Sequence, residues 1–386
     1  MKINVIGGGP AGLYFSILMK SRSPSHDIRI IERDGPNDTF GWGIVFSDQT
    51  FSYLEENDRA SFEQIVANCE IWENVDVVHK GEKITIRGNR FSGIGRLQFL
   101  NILRARCREL GVDLQFHVNV TDIDQYRDCD LLVGADGANS VVRREYQDFF
   151  QPSVDLRKNK YIWLGTKRLF HGLTLTFREN EAGHFIAHSY KFNQTTSTFI
   201  VECCEETWRK AGFDRKSEAG TCAYLQQVFA ADLDGHPLLA NNFVRWINFP
   251  LVRNAGWYHE NTVLLGDALH TAHFSIGSGT KLALEDATAL AKSFVEHPDV
   301  PAALPAFERA RRPIVEALQD AAFSSLLMLE NIHDDWHLDP LPFAYKMMTR
   351  SGRITHEKLK KRDPEFAAAY ESWVRKQSEN GVQFPA

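Results

Sequence analysis

The chain has 386 residues, enough for a large core, and its 43% hydrophobic and 24% charged residues are those of an ordinary globular protein. No stretch is apolar enough to span a bilayer, and a net charge of −6 argues against nucleic acid as the main partner. The six cysteines form no CxxC pair and read as buried thiols of a reducing compartment, while the histidines show no ligand-like spacing, so no metal site is expected.

Taken in order, Lys2–Ile6 has the alternation of a strand and leads into Gly7-Gly8-Gly9-Pro10-Ala11-Gly12, followed by an apolar helix over 13–20. Gly7, Gly9 and Gly12 make G-x-G-x-x-G: Gly7 for the tight turn, Gly9 for the approach of a pyrophosphate, Gly12 for close packing of helix on strand. A second strand, 28–31, ends at Glu32, twenty residues beyond Gly12, where a carboxylate can accept from both ribose hydroxyls of an unphosphorylated adenosine. The turn begins by residue 7, which leaves no room for a signal peptide, so a cytoplasmic location is expected.

Past Arg33 and a turn-rich stretch, Gly41 and Gly43 flank Trp42, which suits either backbone passing a flat ligand or a packed loop. A helix is expected over 51–67 and a hairpin over 75–79 and 83–87. Arg96 falls in the first turn of the next helix, where a cation opposes the helix dipole and is better explained by a bound phosphate. The strand before Gly134-Ala135-Asp136-Gly137 puts Asp136 at a carboxyl end, the ligand edge of open α/β sheets. From 156 to 254 the strand-like segments suggest an inserted, mostly antiparallel sheet. The first pattern returns at Thr262–Leu265, ending in Gly266-Asp267, and Gly277, Ser278, Gly279 and Thr280 lead into another helix. The remainder is expected to be helices broken at Pro313, Pro340, Pro342 and Pro364.

These three motifs, the glycine run with Glu32, the segment Asp130 to Arg143, and Gly266 to His270, resemble the group A FAD-dependent aromatic monooxygenases related to p-hydroxybenzoate hydroxylase. The likeness is greatest to the salicylyl-CoA 5-hydroxylase and anthraniloyl-CoA monooxygenase branch, in 40–47, 273–287 and 349–364, with the violacein-pathway hydroxylase as a second relative. It implies an α/β fold: a Rossmann-like (GR2-type) FAD-binding domain from 1–72, 96–155 and 255–330, a substrate domain from 73–95 and 156–254, and a C-terminal helical region over 331–386. It also implies non-covalent FAD, reduction by NADH or NADPH, addition of O2 at the flavin C4a carbon, and passage of the distal oxygen to an electron-rich ring.

By the same resemblance Glu32 holds the FAD ribose, Gly9, Ala11 and Arg96 the pyrophosphate and ribityl side, and Asp267 the ribityl hydroxyls, with Pro10, Arg33, Gly41, Trp42, Gly43, Asp136 and Gly137 around them. The turn from Gly277 to Thr280 would present N–H groups to the flavin pyrimidine edge. Phe177, His188, Tyr190 and Phe199 would face the substrate, with His188 polarising its hydroxyl; His273 and His270 are alternatives, His270 as a structural residue. Phe274 stands where most of the family has proline. The aromatics could equally be core residues of the sheet. A basic run with Arg350 and Arg353 would clamp the phosphates of a CoA thioester or form a solvated face. The substrate is expected to be an aryl-CoA thioester, alternatively an indole-type or carrier-bound aromatic, handled by a monomer or homodimer. A non-catalytic flavin sensor is the reading from another class.

Overall fold

The computed structural model describes residues 1–241 and 245–379; residues 380–386 of the expected C-terminal region lie outside it. The chain divides into two compact units, Met1–Cys69 with Ile94–Arg157 and Phe249–Asp320, and Glu70–Gly93 with Lys158–Asn248 and Ala321–Ala386. The helices after residue 320 therefore group with the inserted sheet. No helix among the described residues is long and apolar enough to cross a membrane.

The first unit is built on a sheet ordered Tyr258–His259, Thr262–Leu264, Leu131–Gly134, Lys2–Ile6, Asp27–Ile31, Asp113–Gln115. All but the first pairing are parallel, so the carboxyl ends of the strands share one edge. Ile3, Val5, Ile28, Ile30, Leu131, Val133 and Val263 are almost wholly buried, as strands covered on both faces must be. Helix Pro10–Arg22 is buried along most of its length. The expected helix over 51–67 is two, Asp48–Asn57 and Arg59–Ala67, parted at Asp58, whose carboxylate accepts from Ser61 N at 3.2 Å and caps the second.

Pro313 does not break the chain. It lies within helix Val300–Glu330, which forgoes a backbone hydrogen bond there but buries Leu304, Phe307, Val315 and Leu318 at helical spacing. Pro340 and Pro364 do open helices, Pro340–Thr349 and Pro364–Glu379, in the first turn where proline lacks no needed donor.

The second unit carries strands in the order Leu238–Leu239, Pro152–Thr166, Ser197–Cys203, Gly183–Lys191, Leu173–Asn180, Val75–His79, Glu82–Ile86. Along this order, among the described residues, 173–180 pairs with Val75–His79 in parallel and the other neighbours are antiparallel. Alternation sorts its side chains onto two cores. One face packs Leu164, Phe185, Ala187, Phe199 and Val201 on Phe213, Leu225 and Phe229. The other packs Val77, Leu175, Phe177 and Ile186 on Leu329, Phe343, Met347 and Leu359 of the C-terminal helices.

His79 ends one hairpin strand inside this second core. Its ring stacks on Phe343 at 3.9 Å, and its Nε2 donates to the carbonyls of Trp336 and Leu338 at 3.2 and 3.1 Å. Nδ1 is buried with no partner among the described residues, and burial lowers the His79 pKa from 6.5. The folded protein thus holds the neutral ring while the unfolded chain takes a proton near 6.5, so this contribution is present above about pH 6.5 and is lost as pH falls. Thermal melting should drop between pH 6.5 and 5. In His79→Gln stability should be lower at pH 7.5, by about 1–3 kcal/mol for the disturbed carbonyl partners, and its slope over that window shallower; parallel curves for the two proteins would show that His79 is not the titrating group.

Candidate active site

The glycine run is shaped by contact with the neighbouring strand. Gly7 has φ +108 and donates to Ile31 O at 2.8 Å; a Cβ on it would lie 2.2 Å from Ala135 O. A Cβ on Gly12 would lie 2.3 Å from Gly7 O. Gly9, the N-cap of helix Pro10–Arg22, has nothing within 4 Å of such an atom, so the helix start with Pro10 and Ala11 has room in front of it for a ligand. Glu32 closes the turn: Oε2 accepts from Gly8 N at 2.6 Å and Oε1 from Asp34 N at 2.9 Å. Arg33 beside it is exposed.

Beyond Glu32 a narrow recess is lined by Leu13, Ile30, Leu114, Phe116 and Arg104. Arg104 was missed by sequence reasoning. Its guanidinium lies 5.4 Å from the Phe116 ring centre and donates to Pro36 O at 2.6 Å, while its Nε has no partner among the described residues. Arg104 shares a buried helical stripe with Leu100, Leu103 and Cys107, and a cation at a core position of that period was the available signal.

Three acids stand beyond the ends of three strands of the parallel sheet, and their partners differ. Asp136 is spent on its own chain: Oδ1 accepts from Ser140 Oγ at 2.5 Å and Oδ2 from Val141 N at 2.6 Å, capping the short helix after Gly137. Burial pushes its carboxyl up, against those bonds. Asp267 is ringed by protein, which pushes its carboxyl up against the pull of His270 and Arg96, yet its side chain is exposed to solvent, as a group on the floor of an open cleft would be. Arg96 begins helix Arg96–Glu109, and its N–H is held by Trp42 O at 2.8 Å between Gly41 and Gly43. Burial lowers its pKa against the charges of Asp267 and Glu32, and its Nε has no partner among the described residues.

Gly277 turns at φ +62 into Ser278, the N-cap of helix Gly279–Glu296, and the space about Gly279 is open while Thr280 follows in the first turn. Beneath that turn runs an ion chain: Lys281 to Glu285 at 2.5 Å, Glu285 to Arg311 at 2.6 Å, Arg311 to Asp286 at 2.7 Å and Asp286 to His270 at 2.7 Å. His270 is thereby tied into the scaffold. His273 is engaged locally, its Nδ1 accepting from Ser275 N at 3.4 Å and its ring 4.1 Å from that of Phe274.

On the inserted sheet the strand register separates the expected substrate residues. His188 pairs with Ile200 and Tyr190 with Thr198, so Phe199 between them points to the other face, where it packs on Phe229 at 5.3 Å. Phe199 is thus core and does not share a site with His188. Phe177 is on the His188 face but is buried against Phe343 at 4.7 Å. Tyr190 lies 5.8 Å from Trp72 in a stacked pair, its hydroxyl bonded to Thr198, and burial pushes its pKa up. His188 Nε2 meets Glu202 Oε1 at 2.8 Å, both nearly fully buried. Glu202 was not foreseen; its partner is fourteen residues away across a turn, with no motif to mark it.

The two arginines expected to form one clamp part company. Arg350 is turned inward, its Nε donating to Ser325 Oγ at 2.8 Å and its guanidinium to Met347 O, whereas Arg353 is exposed. Of the remaining basic run, Lys346 pairs with Asp335, Lys360 with Glu371 at 3.0 Å, and Arg362 bonds Asn89 at 2.8 Å.

The unpartnered Arg96 Nε, the open helix starts at Gly9 and Gly279, and the exposed yet enclosed Asp267 fit a long dianionic ligand lying along the acid edge, as a flavin dinucleotide would. Glu32→Ala should raise the dissociation constant for FAD at least about tenfold, measured by flavin fluorescence on the deflavinated protein, since charge-assisted hydrogen bonds contribute about 1.5–3 kcal/mol each. Unchanged affinity would reduce Glu32 to a prop for the turn. The FAD binding domain family matches residues 118–322. The chain is 39% identical to the salicyloyl-CoA 5-hydroxylase of a Streptomyces species over 99% of its own length and 75% of that protein's. It is 35% identical to the protodeoxyviolaceinate monooxygenase of Chromobacterium violaceum, over 91% and 94%. A solved mutant of 2-methyl-3-hydroxypyridine-5-carboxylic acid oxygenase, 18% identical, shares the fold with a TM-score of 0.72 over 95% of this chain and 96% of that one. The chain belongs to the FAD-dependent aromatic monooxygenases of the p-hydroxybenzoate hydroxylase superfamily.

Proposed function

We propose that the protein hydroxylates an aromatic ring bearing a hydroxyl or amino group and presented as a coenzyme A thioester, with salicyloyl-CoA or anthraniloyl-CoA as the type of substrate. The observation that carries this reading is the 39% identity, along nearly the whole chain, to a salicyloyl-CoA 5-hydroxylase. FAD, once bound and reduced by NADH or NADPH, supplies the oxygen-transfer chemistry. The chain's own task is to hold the ring and keep water out. On the sheet face that carries His188, beside Tyr190 and Phe177, a polar handle on the ring would have His188 as its partner. His188 would accept or share the proton of that handle, raising electron density at the ring carbon to be oxygenated.

For the phosphates of coenzyme A, the exposed cations Arg353 and Lys361 are the candidates, Arg350 being occupied within its unit. Two results are expected. His188→Ala, with FAD bound, should go on consuming NAD(P)H while product falls about a hundredfold and peroxide appears, since a positioned proton acceptor contributes roughly 10²–10⁴; product formation at the wild-type ratio would remove His188 from the site. In a panel of aryl-CoA thioesters, free aromatic acids and indoles, scored by the gain of one oxygen atom, the thioesters should have the lowest KM. That KM should rise with salt and in Arg353→Ala with Lys361→Ala. Turnover of indoles alone would move the assignment to the protodeoxyviolaceinate type.

A further inference from the structure

We propose that Arg104 binds the adenosine end of FAD, its guanidinium donating to the edge of the base or to a ribose oxygen while Glu32 accepts from the ribose hydroxyls, so that the site takes the dinucleotide in preference to a flavin mononucleotide. No motif in the sequence marks this arginine.

A cation withdrawn from water needs an anion or a full set of acceptors. Arg104 is only 3% exposed, and burial pulls its pKa down. Arg311, at 5%, shows the usual remedy, with Glu285 at 2.6 Å and Asp286 at 2.7 Å. Arg104 has no such partner among the described residues. Its Nη1 donates to Pro36 O at 2.6 Å and to Asn101 Oδ1 at 3.3 Å, both neutral, and the guanidinium lies over the Phe116 ring. These bonds fix the group and leave its Nε–H buried with nothing to donate to among the described residues. Packing does not call for the charge, since Leu100, Leu103 and Cys107 share the same buried stripe and an apolar side chain would complete it at least as well.

The recess beside the arginine supplies the complement. Its walls carry a donor, Arg104, and an acceptor, Glu32, among the apolar Leu13, Ile30, Leu114 and Phe116. A phosphate there would meet the Glu32 carboxylate as well as the cation. A ribose hydroxyl both donates and accepts, and the ring nitrogens of adenine accept, so an adenosine satisfies both walls. The recess is narrow and admits an edge or a hydroxyl rather than a whole base. Its place along the cofactor agrees: Glu32 is bonded to Gly8 N at 2.6 Å, and the next residue, Gly9, is the open N-cap that suits the pyrophosphate.

The test uses the deflavinated full-length protein, with its melting temperature as the check of folding. In Arg104→Met the dissociation constant for FAD, read by flavin fluorescence, should rise at least about tenfold and that for adenosine diphosphate in proportion, while that for FMN stays within about twofold. Arg104→Lys keeps a charge but cannot donate from the same place, and should lose nearly as much. In the wild type, the ¹⁵Nε–H resonance of Arg104, assigned by its absence from the lysine variant, should move on adding adenosine diphosphate or FAD and stay in place with FMN; this measurement decides the matter even where the methionine variant does not fold. Equal losses for FAD and FMN, or an Nε–H resonance that adenosine diphosphate does not move, overturn the proposal. Full recovery in Arg104→Lys also overturns it, because a point charge that suffices has a phosphate as its partner.

Discussion

The carbonyl of Ala135 lies where a side chain on Gly7 would have to begin, 2.2 Å from the ideal Cβ, and the Gly7 carbonyl in turn lies 2.3 Å from that of Gly12. Two parallel strands and the first helix therefore meet with no side chain between them. Gly134 extends the contact, since a Cβ there would press on Leu264 of the next strand at 2.8 Å and on Val142 at 2.9 Å. With strands 2–6, 131–134 and 262–264 held this close and in parallel register, their carboxyl ends fall on one edge, and the helix starting at Pro10 points its free N–H groups there. Any larger residue at Gly7 or Gly12 would prise that edge apart before touching a ligand.

Along the edge the same residue type does three kinds of work, decided by partners. Glu32 takes two backbone N–H groups and keeps lone pairs for a further donor. Asp136 has its oxygens engaged by Ser140, Val141 and Val142, so its contribution is to hold the turn. Asp267 stands in a setting whose burial disfavours its ionised form, with the charges of His270 and Arg96 acting against that and Asp286 adding to it. A carboxylate so placed, next to an arginine whose Nε has no partner among the described residues, is the one whose surroundings a ligand's hydroxyl or phosphate groups would complete. The ion chain from Lys281 to His270 fixes the loop that presents it.

What could be read from the sequence was local. The glycine run, Glu32 and the strand before Gly266 follow from spacing over a few residues, because a turn or a strand end is decided within that span. Arg104 was equally local, a cation on an apolar helical stripe, and was overlooked rather than hidden. Phe199 and His188 are of another kind. Their side chains differ in face by the parity of one residue, and parity acquires meaning only once it is known which face meets which core. Arg350 was counted as one charge of a basic run, but whether a guanidinium turns to solvent or to Ser325 depends on helices packed far from it in sequence. Pro313 shows the same limit, its local preference overruled by the buried stripe that the helix carries past it.

The inserted sheet divides its labour by the same parity. One face packs Phe185, Ala187, Phe199 and Val201 on the segment from Phe213 to Leu233, with Thr176, Ser189 and Ser197 buried at its other positions, and such a core accepts side chains of similar volume. The other face mixes that kind of packing, around Phe177 and Phe343, with buried polar groups, Glu202 bonded to His188 and Asn159, and Arg350 bonded to Ser325. Each buried polar group there depends on its neighbour for compensation, so changing one leaves another uncompensated. The two faces therefore differ in how they tolerate change: the first accepts repacking by side chains of similar volume, whereas a change at His188, Glu202 or Asn159 on the second leaves a buried partner uncompensated.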